Sequence, residues 1–361
     1  MTFVTRADVA ARAGTSVAVV SYVVNDGPRS VAPATRQRVQ RAIEELGYVP
    51  NRSAQALAGS RTFACGLLLP DISNPFFASL AHALQDEAMR HGLTLLLGDS
   101  GGDKDREQRL LATFLEQRVR ALIVVGVDDS PHLEAATRYG VPVVMLDRGN
   151  SSPEFSSVCI DNYAAARHGT EFLIEAGHRR VGFVGGPHGL GVAAQRLAGF
   201  RAALQDHGIE EVPAWNFSGE FSKQSGYEIG STISQLPDRP DAVFVSSDQQ
   251  AIGLLAALLD RSVRVPADVA MVSLDGTDDG RYTRPPLTSV LQPVDQIARQ
   301  TMDMVTGSRH TAPSRVTIPH RLILGRSSGS AREADPAHSP PHPGGDLEAH
   351  TAVNTQQRSY E

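Results

Sequence analysis

A chain of 361 residues, 41% hydrophobic and 20% charged, exceeds a single usual core and has the make-up of an ordinary globular protein of two or three domains. No apolar run approaches the roughly 20 residues of a membrane span and the amino terminus lacks the basic-then-apolar pattern of a signal peptide, so a cytoplasmic protein is expected. The net charge of -6 is unevenly placed: residues 1–62 hold eight Arg against Asp8, Asp26, Glu44 and Glu45, a net +4 that leaves -10 for the rest and puts the charge favouring nucleic acid at one end.

Thr5 and Asp8 have the spacing of a capping box, which predicts a short helix from Arg6 that buries Val9, Ala10 and Ala13 and stops at Gly14. Ser16 can cap a second helix carrying Val19, Val20, Val23 and Val24, and a turn of only Gly14 and Thr15 forces the two to cross steeply. That is a helix-turn-helix, whose second helix exposes Val17, Ala18, Ser21, Tyr22 and Asn25, a surface narrow enough for the major groove of DNA. A small helical pair inside any domain is the bland alternative. Pro33 opens a third helix with Val39, Ala42, Ile43 and Leu46 at helical spacing and Gly47 as its stop, while Ala32 at the cap offers no side-chain acceptor. The stretch NRSAQALAGSRT that follows has helix formers but too few apolar residues for a core. From its residues alone it is an interdomain linker, or a segment that orders only when a partner templates it.

From Phe63 apolar runs (63–69, 93–97, 121–125, 142–146, then 180–184, 241–245 and 269–274) alternate with amphipathic helical stretches (76–91, 105–118, 131–139 and others). Such alternation builds parallel sheets covered on both faces, and two series on either side of about residue 161 predict two similar α/β subdomains. Ligands of doubly wound sheets sit at the carboxyl ends of strands, which marks 70–76, 147–150, 185–196, 218–222, 246–249 and 275–281 as candidate binding loops. Cys65 and Cys159 lie isolated within apolar runs, as buried thiols do in a reducing compartment. Beyond Leu324 the chain is rich in Pro, Ser, Gly and Ala without periodicity and reads as disordered; His338, His342 and His350 there fit no usual metal spacing, and no heptad pattern is present.

Enzyme signatures are weak. GFVGGPHGLG at 182–191 lacks both the Gly-Lys-Ser/Thr ending of a P-loop and the dinucleotide fingerprint, and Ser246-Ser247-Asp248 lacks the nucleophile-elbow pattern. No cofactor and no metal site is implied.

These stretches together resemble the LacI/GalR family of bacterial transcription regulators. The resemblance runs from Thr5 to about Ser327 and rests on DVAARAGTSVAVVSYVVN and VAPATRQRVQRAIEELGYVPN in the head. In the core it rests on GLLLPDISNPFF, LDR at 146–148, IDNYAAA at 160–166, GHRRVGFVGGP at 177–187, QRLAGF at 195–200, SSDQQAIG at 246–253 and RPPLTSV at 284–290. It implies an α/β protein with a three-helix helix-turn-helix head (1–50), a hinge helix and linker (51–62), and a core (63–327) of two doubly wound parallel-sheet subdomains resembling periplasmic binding proteins. Subdomain 1 would take about 63–161 and 291–327, subdomain 2 about 162–290, with 328–361 as a disordered tail.

The resemblance also implies roles. Val17, Ala18 and Tyr22 match positions that choose bases; Thr5, Ser16, Ser21, Asn25 and Thr35 match positions that touch or support phosphates. Many relatives carry Arg at the position of Tyr22 and Thr at that of Val19, and a phenol in place of a bidentate fork does not read guanine strongly. In the hinge, Asn51, Ala54 and Leu57 match the face that enters the minor groove, with Leu57 as the wedge between base pairs. In the core, Asn74, Phe76, Arg196, Phe221 and Asp275 match effector-contacting positions: a guanidinium that can fork onto vicinal hydroxyls, a carboxylate that can accept from them, and aromatic rings that can stack on a sugar face. Ser247 stands where many relatives have Asn, and Leu190 and Val192 replace polar contacts of purine-responsive members, which speaks against a purine. The expectation is a homodimeric repressor that binds double-stranded operator DNA, its affinity set by a small polar effector, a sugar or related compound, held between the two subdomains. An exported solute-binding protein on the same core fold is the alternative, and it has no use for a DNA head; an enzyme on the same sheet would need a catalytic constellation that the sequence does not offer.

Overall fold

The computed structural model describes residues 4–24, 29–49, 62–128, 132–146, 154–307 and 312–329. Asn25, the hinge residues Asn51, Ala54 and Leu57, the 147–150 loop and the chain from residue 330 onward lie outside the described residues.

The head opens with α1 (Arg6–Ala13). Thr5 Oγ1 accepts from Asp8 N, and the Asp8 carboxylate accepts from Thr5 N at 2.8 Å and from the Thr5 hydroxyl at 2.6 Å, the reciprocal capping box that the spacing predicts. Those bonds, the hydroxyl's first, hold the Asp8 carboxyl below the ordinary aspartate range. Gly14 ends the helix at φ 60°, a left-handed conformation that a side chain would resist. Ser16 Oγ then accepts from Val19 N at 3.3 Å to start α2 (Val17–Val24), and the two helices are bent through 104°, a helix-turn-helix crossing. Next, α3 (Pro33–Leu46) starts at Pro33 without a side-chain cap from Ala32 and stops at Gly47. Together the three helices bury Val9, Ala10, Ala13, Val20, Val23, Val39, Ala42 and Tyr48. Arg38 Nε clamps α3 to the end of α1 by donating to Ala13 O at 3.3 Å.

Two α/β units follow. The first contains β1 (Ala64–Leu69), α4 (Pro75–Arg90), β2 (Thr94–Asp99), α5 (Lys104–Glu116), β3 (Leu122–Val124), α6 (Glu134–Arg138), β4 (Val143–Leu146) and β5 (Ser156–Ile160). The chain then builds the second unit from α7 (Asn162–Glu175), β6 (Val181–Gly185), α8 (Gly191–Asp206), β7 (Asn216–Ser218), α9 (Lys223–Gln235), β8 (Ala242–Val245), α10 (Asp248–Asp260), β9 (Ala270–Asp275), α11 (Asp278–Arg281) and β10 (Thr288–Leu291). It goes on through α12 (Val294–Thr306) and β11 (Arg315–Ile318) of the first unit and ends on β12 (Arg321–Ile323) of the second. The sheets run β11-β5-β4-β3-β1-β2 and β12-β10-β9-β8-β6-β7, parallel throughout except where β12 meets β10. Strand order therefore reverses between β1 and β3 in the first sheet and between β6 and β8 in the second, the topological switch points at which doubly wound sheets take ligands.

The continuous apolar strands explain why both sheets are buried on both faces: β3, β4, β6, β8 and β9 have no exposed residue. Cys65 and Cys159 are both buried, and burial pushes the Cys65 thiol up to about 11. By contacts, the first unit takes the chain up to Asn162, 187–195 and 292–320, and the second takes 163–186, 196–291 and 321 onward.

Two expectations need correction here. Sequence reading gave 291–327 wholly to the first subdomain, yet β12 pairs with β10, Ser289 opposite Ile323, so the last stretch returns to the second. The run beyond Leu324 was read as disordered, with 328 as the start of the tail, yet Ser327 and Ser328 are fully buried. Ser327 Oγ donates to Met271 O at 2.7 Å and accepts from Thr288 N at 2.8 Å, and Ser328 Oγ pairs with Thr288 Oγ1 at 2.8 Å. Composition misled because a polar run is buried at little cost once every hydroxyl has a partner.

Candidate DNA surface and effector site

On α2 the side chains divide cleanly. Val20 and Val23 face the head's core, whereas Val17 is 46% exposed, Ala18 is exposed, and Ser21 and Tyr22 are half-buried. The helix carries no charged residue. The hydroxyls assigned to phosphate positions also have internal work: Thr5 belongs to the capping box, Ser16 caps α2, and Thr35 Oγ1 accepts from Arg38 Nη2 at 3.4 Å. Each sits at or near a helix amino terminus, where backbone N–H groups and the dipole favour a phosphate.

In the second unit, three of the five predicted effector residues gather at the carboxyl ends of β6, β7, β8 and β9. Arg196, on α8, is 3% exposed; its Nη1 donates to Ser246 O at 2.6 Å, directly after β8, and its guanidinium lies 5.5 Å from the centre of the half-buried Phe221 ring. The Phe221 ring rests on Gly186, the residue after β6, where a Cβ would sit 2.1 Å from it. Ser218 Oγ ties β7 to the same place by donating to Gly186 O at 2.7 Å, and Gln250 Nε2 donates to Gly185 O at 2.8 Å. Asp275 ends β9 with φ 125°, a region that costs a non-glycine residue roughly 1–3 kcal/mol and persists only where surroundings impose it.

The surroundings here are a buried polar hub that sequence reading missed. Asp248 is fully buried; its Oδ1 accepts from Ser273 Oγ at 2.6 Å and Ser289 Oγ at 2.8 Å, and its Oδ2 accepts from Thr277 N at 2.6 Å and Thr277 Oγ1 at 2.8 Å. Burial drives its carboxyl above the ordinary range, against the downward pull of those donors. Its own N–H donates to Asp275 Oδ2 at 3.3 Å. The signal that would have found the hub is a serine within a fully or largely buried strand: Ser273 in AMVSLD and Ser289 in TSVL. Ser247, noted as a departure from Asn, spends its hydroxyl on α10, accepting from Gln250 N at 3.2 Å and donating to Gln250 Oε1 at 3.3 Å. Ser246 Oγ and Gln249 Nε2 are buried without a hydrogen-bond partner.

Asn74 and Phe76 belong to the first unit, where they open α4 after β1. Asn74 Oδ1 accepts from Phe76 N at 3.0 Å as the helix cap. Phe76, 5% exposed, packs in the core with Leu69 and Leu80 and lies edge-on to Phe77, so its ring is largely committed inside the unit.

Comparison with known proteins bears on both regions. Residues 5–51 match the model of bacterial regulatory proteins of the lacI family and residues 170–328 that of a periplasmic binding protein-like domain. Catabolite control protein A of Priestia megaterium is 34% identical over 330 residues, covering 90% of this chain and 99% of that protein. The chain belongs to the LacI family. Another relative, the transcriptional repressor PurR of Escherichia coli, is also 34% identical over 330 residues, 89% of this chain and 95% of PurR. Among solved structures, a lac repressor dimer bound to operator and the anti-inducer ONPF has a TM-score of 0.79 at 28% identity, covering 91% of this chain and 99% of that one. A complex of the transcriptional regulator CelR with cellobiose has a TM-score of 0.67 at 33% identity, covering 90% and 99%.

This LacI-family chain is a DNA-binding transcriptional regulator with an effector-binding core, and its relatives are regulators rather than enzymes. Among its described residues no single helix is long and apolar enough to cross a membrane.

Proposed function

We propose that this regulator is a homodimeric repressor of a roughly palindromic operator, released or retained by a sugar or related polyhydroxylated compound bound at the Arg196 cluster. The observation that carries the reading is Arg196 itself: a buried guanidinium anchored to Ser246 O and placed over the half-buried Phe221 ring. That combination suits a ligand with an apolar ring face and hydroxyl edges. Asp275 supplies an acceptor for such hydroxyls, and Ser246, whose carbonyl holds Arg196, adds a hydroxyl without a hydrogen-bond partner. An acidic effector fits less well, because the Asp275 carboxylate stands in the same group of loops as the Arg196 guanidinium. Support for a homodimer comes from large apolar side chains left on the surface, Met89 (65% exposed), Leu97 on the edge strand β2 (50%) and Tyr282 (74%), of the kind a symmetric contact buries. One recognition helix offers few base contacts, so two heads acting on two half-sites suit the task.

The test begins with DNA sites selected from a random duplex library by the full chain, followed by a screen of mono- and disaccharides for any that changes affinity for the selected site. Arg196→Ala should bind that site as tightly as wild type without saccharide and lose most of the response to the active one. A wild-type midpoint and amplitude in the variant would show that the response does not run through this cluster.

A further inference from the structure

The geometry of α2 points to thymine methyl groups as the main feature this regulator reads in its half-sites, with Val17 and Ala18 as the reading side chains. The inference deepens the DNA-binding reading of the head and rests on it. In a helix-turn-helix the amino-terminal residues of the second helix meet base edges, and here those residues are Val17 and Ala18, both exposed on a helix whose Val20 and Val23 side chains are buried and whose Val19 and Val24 are half-buried. Major-groove discrimination by hydrogen bonds needs matched donors and acceptors, as in Arg or Lys on guanine, Asn or Gln on adenine, and Asp or Glu on cytosine. None of these six residue types occurs in VAVVSYVV. The only hydrogen-bonding side chains on this helix are Ser21 and Tyr22, and both are half-buried. What the exposed leading turn presents is aliphatic surface, and the one aliphatic group on a base edge is the 5-methyl of thymine. Phosphate affinity comes from elsewhere in the head, which carries its arginines outside α2.

The experiment uses the full chain and the duplex it selects from a random library. Each thymine of the selected site is replaced in turn by deoxyuridine, which removes only the methyl, and cytosines at the same positions are tested as 5-methylcytosine. Burying one methyl is worth about fourfold in affinity, so one or two positions per half-site should weaken binding by about fourfold each and by about fifteenfold when changed in both half-sites. 5-Methylcytosine should recover part of the loss that plain cytosine causes there. In the variants Val17→Ser and Ala18→Gly, which alter exposed positions and leave the head's core intact apart from the helix-propensity cost of glycine, the thymine-to-uracil difference should shrink at the matching position while non-specific binding persists. Uniform tolerance of uracil across a site that is nonetheless selected and bound would overturn the inference and leave the DNA-binding reading standing. A methyl effect that survives in both variants would overturn the assignment to Val17 and Ala18. Failure to enrich any duplex would remove the sequence-specific reading and this inference with it.

Discussion

The head and the second core unit reach order by opposite routes. In the head, the features that shape the DNA surface are local: a capping box from Thr5 to Asp8, a left-handed glycine, and a serine that caps the next helix. In the second unit, the features that shape the effector site join residues far apart in the chain. Ser273, Thr277 and Ser289 reach Asp248 from 25, 29 and 41 residues away, and Arg196 reaches Ser246 O from 50. A surface of local origin can be edited one residue at a time, whereas the long-range cluster stands on a hub whose loss is felt throughout.

The largest effect is therefore expected at Asp248. Asp248→Ala leaves the Thr277 N–H and three hydroxyls without their acceptor, at about 2–4 kcal/mol, a loss that outweighs relief of the buried carboxyl's desolvation. The chain's only tryptophan, Trp215, lies buried in the second unit with Nε1 bonded to Asp238 O at 2.8 Å, so its fluorescence in denaturant reports this unit. An unshifted Trp215 transition would show that the hub is not what holds these loops.

A smaller and more confined effect is expected from Thr5→Ala, about 1 kcal/mol from loss of the cap. Hydrogen exchange on the full chain should show faster exchange in residues 4–24 with the core unchanged; equal loss of protection in both regions would erase the contrast. The same cap has a pH signature. Asp8 has a depressed folded-state pKa, so its contribution is complete above 3.8 and disappears as pH falls through the folded value. Asp248 has the opposite sign: its raised pKa means that the second unit is penalised as pH climbs from 3.8 through the folded value. Acidification below pH 4 should thus loosen the head in wild type and do so less in Thr5→Ala, where only the backbone N–H of residue 5 still donates to the Asp8 carboxylate.

The same contrast explains what could be read in advance. The helix-turn-helix, its caps and its buried faces were legible because Thr5, Asp8, Gly14, Ser16 and Pro33 act within a turn or two of their own positions. The apolar strands were legible as uninterrupted apolar runs. The short strands β7, β10, β11 and β12, all but β10 at sheet edges, were not, since each has three or four residues and carries Asn, Ser, Thr or Arg. Arg196, Phe221 and Asp275 were named through family resemblance, but that they share one group of loops, and that Asp248 and Gly186 hold them there, follows from sheet order, which no local pattern encodes. Phe76 illustrates the reverse case: its position matched a contact, and its ring is packed into the first unit's core.

The account's central claim is that ligand in the core and DNA at the head are thermodynamically linked, and reciprocity tests it most directly. With the saccharide found active in the screen, calorimetric titration into the free protein and into the protein saturated with its selected duplex gives two affinities, and their ratio should equal the factor by which that saccharide changes affinity for the duplex. We expect that factor to lie in the range of about 5–150 typical of such coupling. Identical saccharide affinities with and without DNA would contradict the account, because a ligand that does not distinguish the two states cannot regulate one through the other.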